Sequence, residues 1–258
     1  MARTGQKKTQ IDIREETLLR IARRLLWSQG SDGLTMDKLA AACPFSKGTI
    51  YNHFASKEDL LAGLCIESGR RRLGFLERAA MFKGRSRERA MALAMADYFL
   101  FCMDADCWRT EQFSNFLGFA LKVSGERRAD MASLLERSAG ITQGVIRDAV
   151  VDGDLVLSPS LSPEKVFFSL MGTTRGLYLY RSEHLHTPIQ GDDLWSAHEQ
   201  LFRLSCDALG WSPLSKEWDY TGTAQRIRDE IFTAEEAKVA AASHPQDAGR
   251  LTEPSISI

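Results

Sequence analysis

The sequence predicts an all-α protein, with a small N-terminal domain of three helices over residues 1–59, a larger helical domain over 60–242 and a disordered tail over 243–258. Three observations lead there. Apolar residues recur every three or four positions through most of the chain, the spacing of one helix face. No stretch sustains the two-residue alternation of a half-buried strand. Cap and stop residues punctuate the periodic stretches: Thr35, Ser46, Ser56 and Ser162 stand ahead of helical runs, and Gly30 and Gly210 behind them.

The chain opens on a polar arm, Met1 to Gln10, carrying Arg3, Lys7 and Lys8. It is expected to be disordered when free, and basic arms of this kind can follow a DNA backbone or enter a minor groove. The first helix, about Asp12 to Ser28, places Leu18, Ile21, Ala22 and Leu25 at i, i+3, i+4 and i+7, and Gly30 stops it. Thr35 then caps a short helix with Asp37 in its first turn and an apolar seam of Met36, Leu39 and Ala40. A tight turn over Cys43 to Phe45 follows.

Ser46 begins the third helix, its hydroxyl placed to cap free backbone amides. At about 100° per residue, Ile50 and Phe54 fall about 40° apart and face the core. Gly48, Thr49 and Asn52 point the opposite way, Tyr51 and His53 flank them, and Lys47 projects from the helix start. A small residue for close approach, short polar groups for base edges and long donors for phosphates make up a groove-reading surface. Two short helices joined by a tight turn, the second bearing that surface, form a helix-turn-helix. Ser56 caps the next helix, with Glu58 and Asp59 in its first turn, and Lys57 stands where a phosphate could approach the same amides. Trp27, Leu34, Leu39, Ile50, Phe54 and Leu60 supply a small core.

In the order Gly30, Leu34-Thr35, Leu39-Ala40, Ser46-Lys47-Gly48-Thr49-Ile50-Tyr51-Asn52-His53-Phe54 and Ser56-Lys57-Glu58-Asp59-Leu60, the chain resembles the tetracycline-repressor (TetR) family of bacterial regulators over about residues 14 to 64. The resemblance implies that Thr35, Lys47, Thr49, Tyr51, His53 and Lys57 touch phosphate or base edges, with Gly48 allowing close approach. Joined by Ser46 and Asn52 from the helix geometry, these are the expected DNA-binding residues. One position departs from the family pattern: Pro44 stands where a turn glycine is usual. Proline is held near a φ of about −65° and drives the preceding residue out of the α region, so the turn must be built differently.

The larger domain continues in helices. Ser56 to about Leu76 ends in Arg70-Arg71-Arg72 and is the obvious mechanical link. A charged connector, Lys83 to Arg89, leads to a helix reaching Met103, an aromatic segment with Trp108, Phe113, Phe116 and Phe119, and a long helix from Glu126 to about Val151. After a loop, Ser162-Pro163-Glu164 reads as N-cap, first-turn proline and acidic second position. The helices over about 163–183 and 192–209 carry more apolar surface than one neighbour can cover, so a homodimer through them is expected. Beyond Trp211, the amphipathic run Ile227 to Val239 reads as an extra helix packed on this domain.

Phe99, Trp108, Phe113, Phe116, Phe168 and Tyr178 are candidates to line an apolar ligand pocket, and Arg175 to hold an anionic ligand group. For each aromatic the plain alternative is core packing, and for Arg175 an interhelical salt bridge. Net charge is only −1, but residues 1 to 60 hold ten Lys/Arg against seven Asp/Glu, so the balance leans basic where DNA would bind. The five scattered cysteines argue for reduced thiols in a cytoplasm. Neither a secretory leader nor a membrane span is expected. His184-Leu185-His186 and Cys102 with Cys107 lack a full metal-ligand set, and no nucleophile triad or glycine-rich phosphate loop stands out. The expectation is therefore a DNA-binding transcriptional regulator with no enzyme activity, cofactor or metal, a repressor in the first instance. It would bind a palindromic site in double-stranded DNA as a dimer, under a small-molecule effector. The alternative is a DNA-associated interaction protein acting on a protein partner.

Overall fold

The computed structural model describes residues 2–112, 118–182 and 193–243. Among these every regular element is helical: α1 (Ala2–Gly33), α2 (Met36–Ala42), α3 (Lys47–His53), α4 (Lys57–Ala79), α5 (Ser86–Met103), α6 (Ala105–Gln112), a single 3-10 turn (Ala120–Lys122), α7 (Gly125–Val151), α8 (Pro163–Ser182), α9 (Asp193–Ala208), α10 (Tyr220–Ile231) and α11 (Thr233–Ser243). None of these helices is long and apolar enough to cross a membrane. The chain forms two compact units, one of residues 1–75 and 104–140, the other of 76–103 and 141–258.

In the first unit, α1 is helical from Ala2, so the segment expected as a free arm continues the helix. Its Gln, Lys and Thr residues are compatible with helix, and no proline interrupts them. The helix breaks at Gly30, where the sequence places its stop, and a short helical piece follows to Gly33: φ at Gly30 is 74° and ψ −178°, a conformation essentially reserved for glycine. Leu18, Ile21, Ala22 and Leu26 of α1 close over Leu34, Leu39, Ile50, Phe54, Leu60 and Leu64, all buried. Trp27 packs at the margin of this core, partly buried. Phe119 and Val123, on the stretch leading into α7, complete it.

In the second unit α5 is the central helix. Ala90, Met91, Leu93, Met95, Ala96, Phe99 and Leu100 are buried around most of its circumference, as a helix with neighbours on several sides requires. Helices α9, α10 and α11 pack against it, and α8 packs on α9. The segment after Trp211 forms two helices rather than one, because the backbone breaks at Phe232 (φ −121°, ψ 24°) in the middle of the amphipathic run. Both helices lie on α5. Arg87, wholly buried, fastens the start of this extension. It donates to Asp207 Oδ1 (2.7 Å), to the Trp211 and Pro213 carbonyls (2.7 and 2.8 Å) and to Ser215 Oγ (2.9 Å). Its guanidinium lies 4.6 Å from the Tyr220 ring centre. Farther on, Glu235 pairs with Arg78 at 2.7 Å and Phe232 packs on Phe99 with ring centres 5.0 Å apart.

Candidate nucleic-acid interface

Local capping sets the geometry of the α2-turn-α3 motif. Thr35 Oγ1 accepts from the Lys38 amide and Ser46 Oγ from the Thr49 amide, each at 3.2 Å. Between the two helices Cys43 is extended (φ −121°, ψ 156°), which is what Pro44 demands of the residue before it. Ile50 and Phe54 anchor α3 in the core at 1% and 0% exposure.

The opposite face of α3 is open: Ser46, Lys47, Gly48, Tyr51 and Asn52 are exposed and Thr49 is half-buried. A Cβ on Gly48 would meet only Ser46 Oγ, at 3.9 Å, so nothing in the protein itself requires glycine there. Its smallness matters only to something approaching from outside. The Thr49 hydroxyl shares a hydrogen bond of 2.9 Å with Ser46 Oγ. Thr35 is exposed at the start of α2, and Lys57 is half-buried at the start of α4, where Ser56 Oγ accepts the Asp59 amide at 3.0 Å.

Lys47 and His53 are each engaged by an acidic side chain of another helix. Lys47 Nζ lies 2.7 Å from Asp37 Oδ1. That hydrogen bond and charge pairing hold the Asp37 carboxyl below its ordinary range and the Lys47 ammonium above its own. The ring of His53 turns back toward α1, its side chain 8% exposed and its Nδ1 3.5 Å from Glu15 Oε2.

Behind His53 stands a residue that the sequence reading missed. Arg127, in the first turn of α7, donates to the His53 carbonyl and to Glu15 Oε1, both at 3.1 Å, and its guanidinium lies 4.5 Å from the Phe54 ring centre. No local signal could have found it, since it lies 74 positions from His53. Gly63 of α4 makes room nearby, because a Cβ there would sit 2.8 Å from Phe54 Cε1 and 2.9 Å from Leu19 Cδ2.

The ligand candidates are dispersed. Trp108 is buried in the first unit; Phe99 and Tyr178 are buried in the second. Phe168 is 74% exposed. Arg175 is half-buried on α8. Phe113 and Phe116 lie outside the described residues, as do His184 and His186. The second unit holds a small cavity of about 40 Å³ whose wall includes Leu93, Asp97, Thr142, Ile146, Met171 and Thr174. Next to Thr174 lies a polar group the sequence did not advertise. The Tyr178 hydroxyl and His198 Nδ1 share a hydrogen bond of 2.7 Å, and His198 Nε2 lies 3.3 Å from Thr174 Oγ1. Burial pushes the His198 pKa down to about 4 against the opposing pull of Asp97, so the ring is neutral at ordinary pH. Burial also raises the thiols of Cys102, to about 11, and of Cys107 and Cys206, each to about 12.

Residues 18–64 match the model of the bacterial regulatory proteins of the tetR family. No curated protein sequence matches the chain. Solved structures do. A bacterial regulatory protein of the tetR family from Rhodococcus RHA1 aligns with a TM-score of 0.59 at 17% identity, over 77% of this chain and 97% of that one. The transcriptional regulator FadR from Bacillus subtilis, in complex with stearoyl-CoA, aligns at 0.56 and 17%, over 73% and 95%. AibR, in complex with isovaleryl coenzyme A and operator DNA, aligns at 0.53 and 20%, over 74% and 97%.

Proposed function

We propose that this chain, which belongs to the TetR family through its N-terminal domain, is a repressor that binds a palindromic DNA site as a homodimer and is controlled by a small molecule held in the second unit. The observation that carries the reading is α3. It is anchored by Ile50 and Phe54 and capped by Ser46, and it presents Lys47, Gly48, Tyr51 and Asn52 to the outside. Thr35, Ser46, Lys47, Gly48, Thr49, Tyr51, Asn52 and Lys57 are the proposed contact set; His53, expected among them, turns its ring toward Glu15 and is left out. A head of this size buries little DNA surface alone, and two heads about 34 to 36 Å apart would read successive major grooves. Exposed Phe168, Leu179 and Tyr180 on α8 and Leu204 on α9 support pairing through those helices.

Relatives bound to stearoyl-CoA and isovaleryl coenzyme A make coenzyme A thioesters the first effectors to test. At about 40 Å³ the cavity is smaller than an acyl chain, so such an effector would need its walls to move apart. The extension after Trp211, the one candidate surface for an interaction protein, spends Tyr220, Ile227 and Phe232 in burial and packs on α5. Selection from a random duplex pool at fixed salt tests the proposal. Enrichment of an inverted repeat supports it, and uniform recovery overturns it.

A further inference from the structure

We infer that Arg127 is a positioning residue for α3, holding the C-terminal end of that helix at the pitch from which its side chains meet base edges. The inference rests on the DNA-reading function proposed above. Seven residues make barely two turns, and a helix that short does not keep its direction unaided. The N-terminal end of α3 is tied by the Ser46 cap and by the pairing of Lys47 with Asp37. The far end exposes carbonyl groups with no partner inside the helix, and Arg127 takes the last of them, that of His53.

One guanidinium thereby joins four helices. From α7 it reaches Glu15 of α1, His53 at the end of α3 and Asp59 of α4, whose Oδ2 lies 3.7 Å from Nε, and it stacks over Phe54, the C-cap of α3. Asp59 also accepts the Ser124 amide at 2.9 Å, which fixes the chain just before α7 begins. Gly63 leaves the arginine its place, since a Cβ there would stand 3.3 Å from Nη1. Positive charge at a helix C-terminus is favourable in its own right. Only a planar fork with several donors meets a carbonyl and two carboxylates while lying flat on a ring, and lysine does not reproduce it. The Arg127 side chain is 14% exposed and committed to these partners, so it acts through α3 and not on the phosphates. Farther along, α7 supplies Thr142 and Ile146 to the wall of the cavity.

The test compares wild type, Arg127→Lys and Arg127→Met, each well below its own melting temperature. Binding is measured by fluorescence anisotropy at several salt concentrations, to a duplex enriched from the random pool and to a scrambled duplex of equal length. The expected result for Arg127→Met is an affinity for the enriched duplex lowered by about tenfold, with scrambled binding and the salt slope unchanged and Arg127→Lys in between. An unchanged ratio between the two duplexes overturns the inference, because a residue that only stabilises the fold would not move it. Equal losses on both duplexes with a shallower slope also overturn it, in favour of a phosphate contact. If Arg127→Met does not fold, the same ratio is read from Arg127→Lys and Glu15→Gln. Failure of wild type to enrich any duplex sinks the DNA-reading function itself, an outcome distinct from enrichment without an Arg127 effect.

Discussion

Lys47 and Asp37 pair across the helix-turn-helix, with Nζ 2.7 Å from Oδ1, and tie the first turn of α3 to the first turn of α2. A cation that the sequence offers to phosphates is therefore neutralised by its neighbour before DNA arrives. Asp37→Asn should raise affinity for all duplexes and steepen the salt dependence by about one phosphate contact. Titration of an enriched and a scrambled duplex across salt checks this; unchanged slopes would show that Lys47 does not reach a phosphate. The lowered carboxyl keeps the pair formed above the ordinary carboxylate range and loses it only as pH falls through that lowered value. DNA affinity should accordingly show no step from this pair between about pH 5 and 8.

Gly30 has nothing within 4 Å of a built Cβ, so its requirement for glycine is purely conformational. With φ at 74° and ψ at −178°, Gly30→Ala should destabilise the first unit by about 1 to 3 kcal/mol without a steric clash. Hydrogen exchange confined to the first unit is the measurement. Protection equal to wild type would mean that the backbone relaxes around the alanine.

His198 should make the second unit sensitive to acid. Its unfolded pKa is near 6.5 and its folded pKa is held down to about 4 by burial, so the unfolded chain binds the extra proton first. The stability it contributes is intact above 6.5 and is lost as pH falls through the folded value, at a cost on the order of 3 kcal/mol. His198→Gln, which keeps hydrogen-bonding groups and does not titrate, should flatten that loss. Urea unfolding of both proteins at neutral pH and near pH 4.5 decides it, since a constant difference between them would exclude His198 as the source.

Phe168 and Leu204 are 74% and 60% exposed on α8 and α9. Phe168→Glu and Leu204→Glu should leave the stability of one chain within about 0.5 kcal/mol while shifting sedimentation equilibrium from dimer to monomer. Affinity for an inverted repeat should fall with the dimer. Dimers persisting in both variants would move the interface elsewhere.

What was legible in the sequence is what is local. The caps at Thr35 and Ser46 act on amides three residues on, the inward pair Ile50 and Phe54 follows from helical period alone, and the glycine stop and the extended Cys43 follow from single-residue sterics. The remainder depends on partners distant in the chain. Arg127 and His53 are brought together by α7, the groups around Arg87 come from more than a hundred positions away, and residues 104–140 join the first unit through tertiary packing. Aromatic spacing marked residues as apolar and could not separate packing from pocket. Phe99 went to Phe232, Tyr178 stacked on Phe101 with ring centres 4.7 Å apart, and Phe168 went to the surface. His198 sits on an apolar helix face with no neighbour in sequence to announce its bond to Tyr178.

The burial of Arg87 sets the order of events on the ribosome. Its acceptors at Asp207, Trp211, Pro213 and Ser215 are made 120 to 128 residues after it. At roughly 5 to 20 residues per second, that is a wait of about six seconds or more with a cation at the start of α5 and nothing to receive it. The second unit therefore cannot close from its beginning as it is synthesised. A nascent chain that stops short of Asp207 leaves that guanidinium without any of these four acceptors.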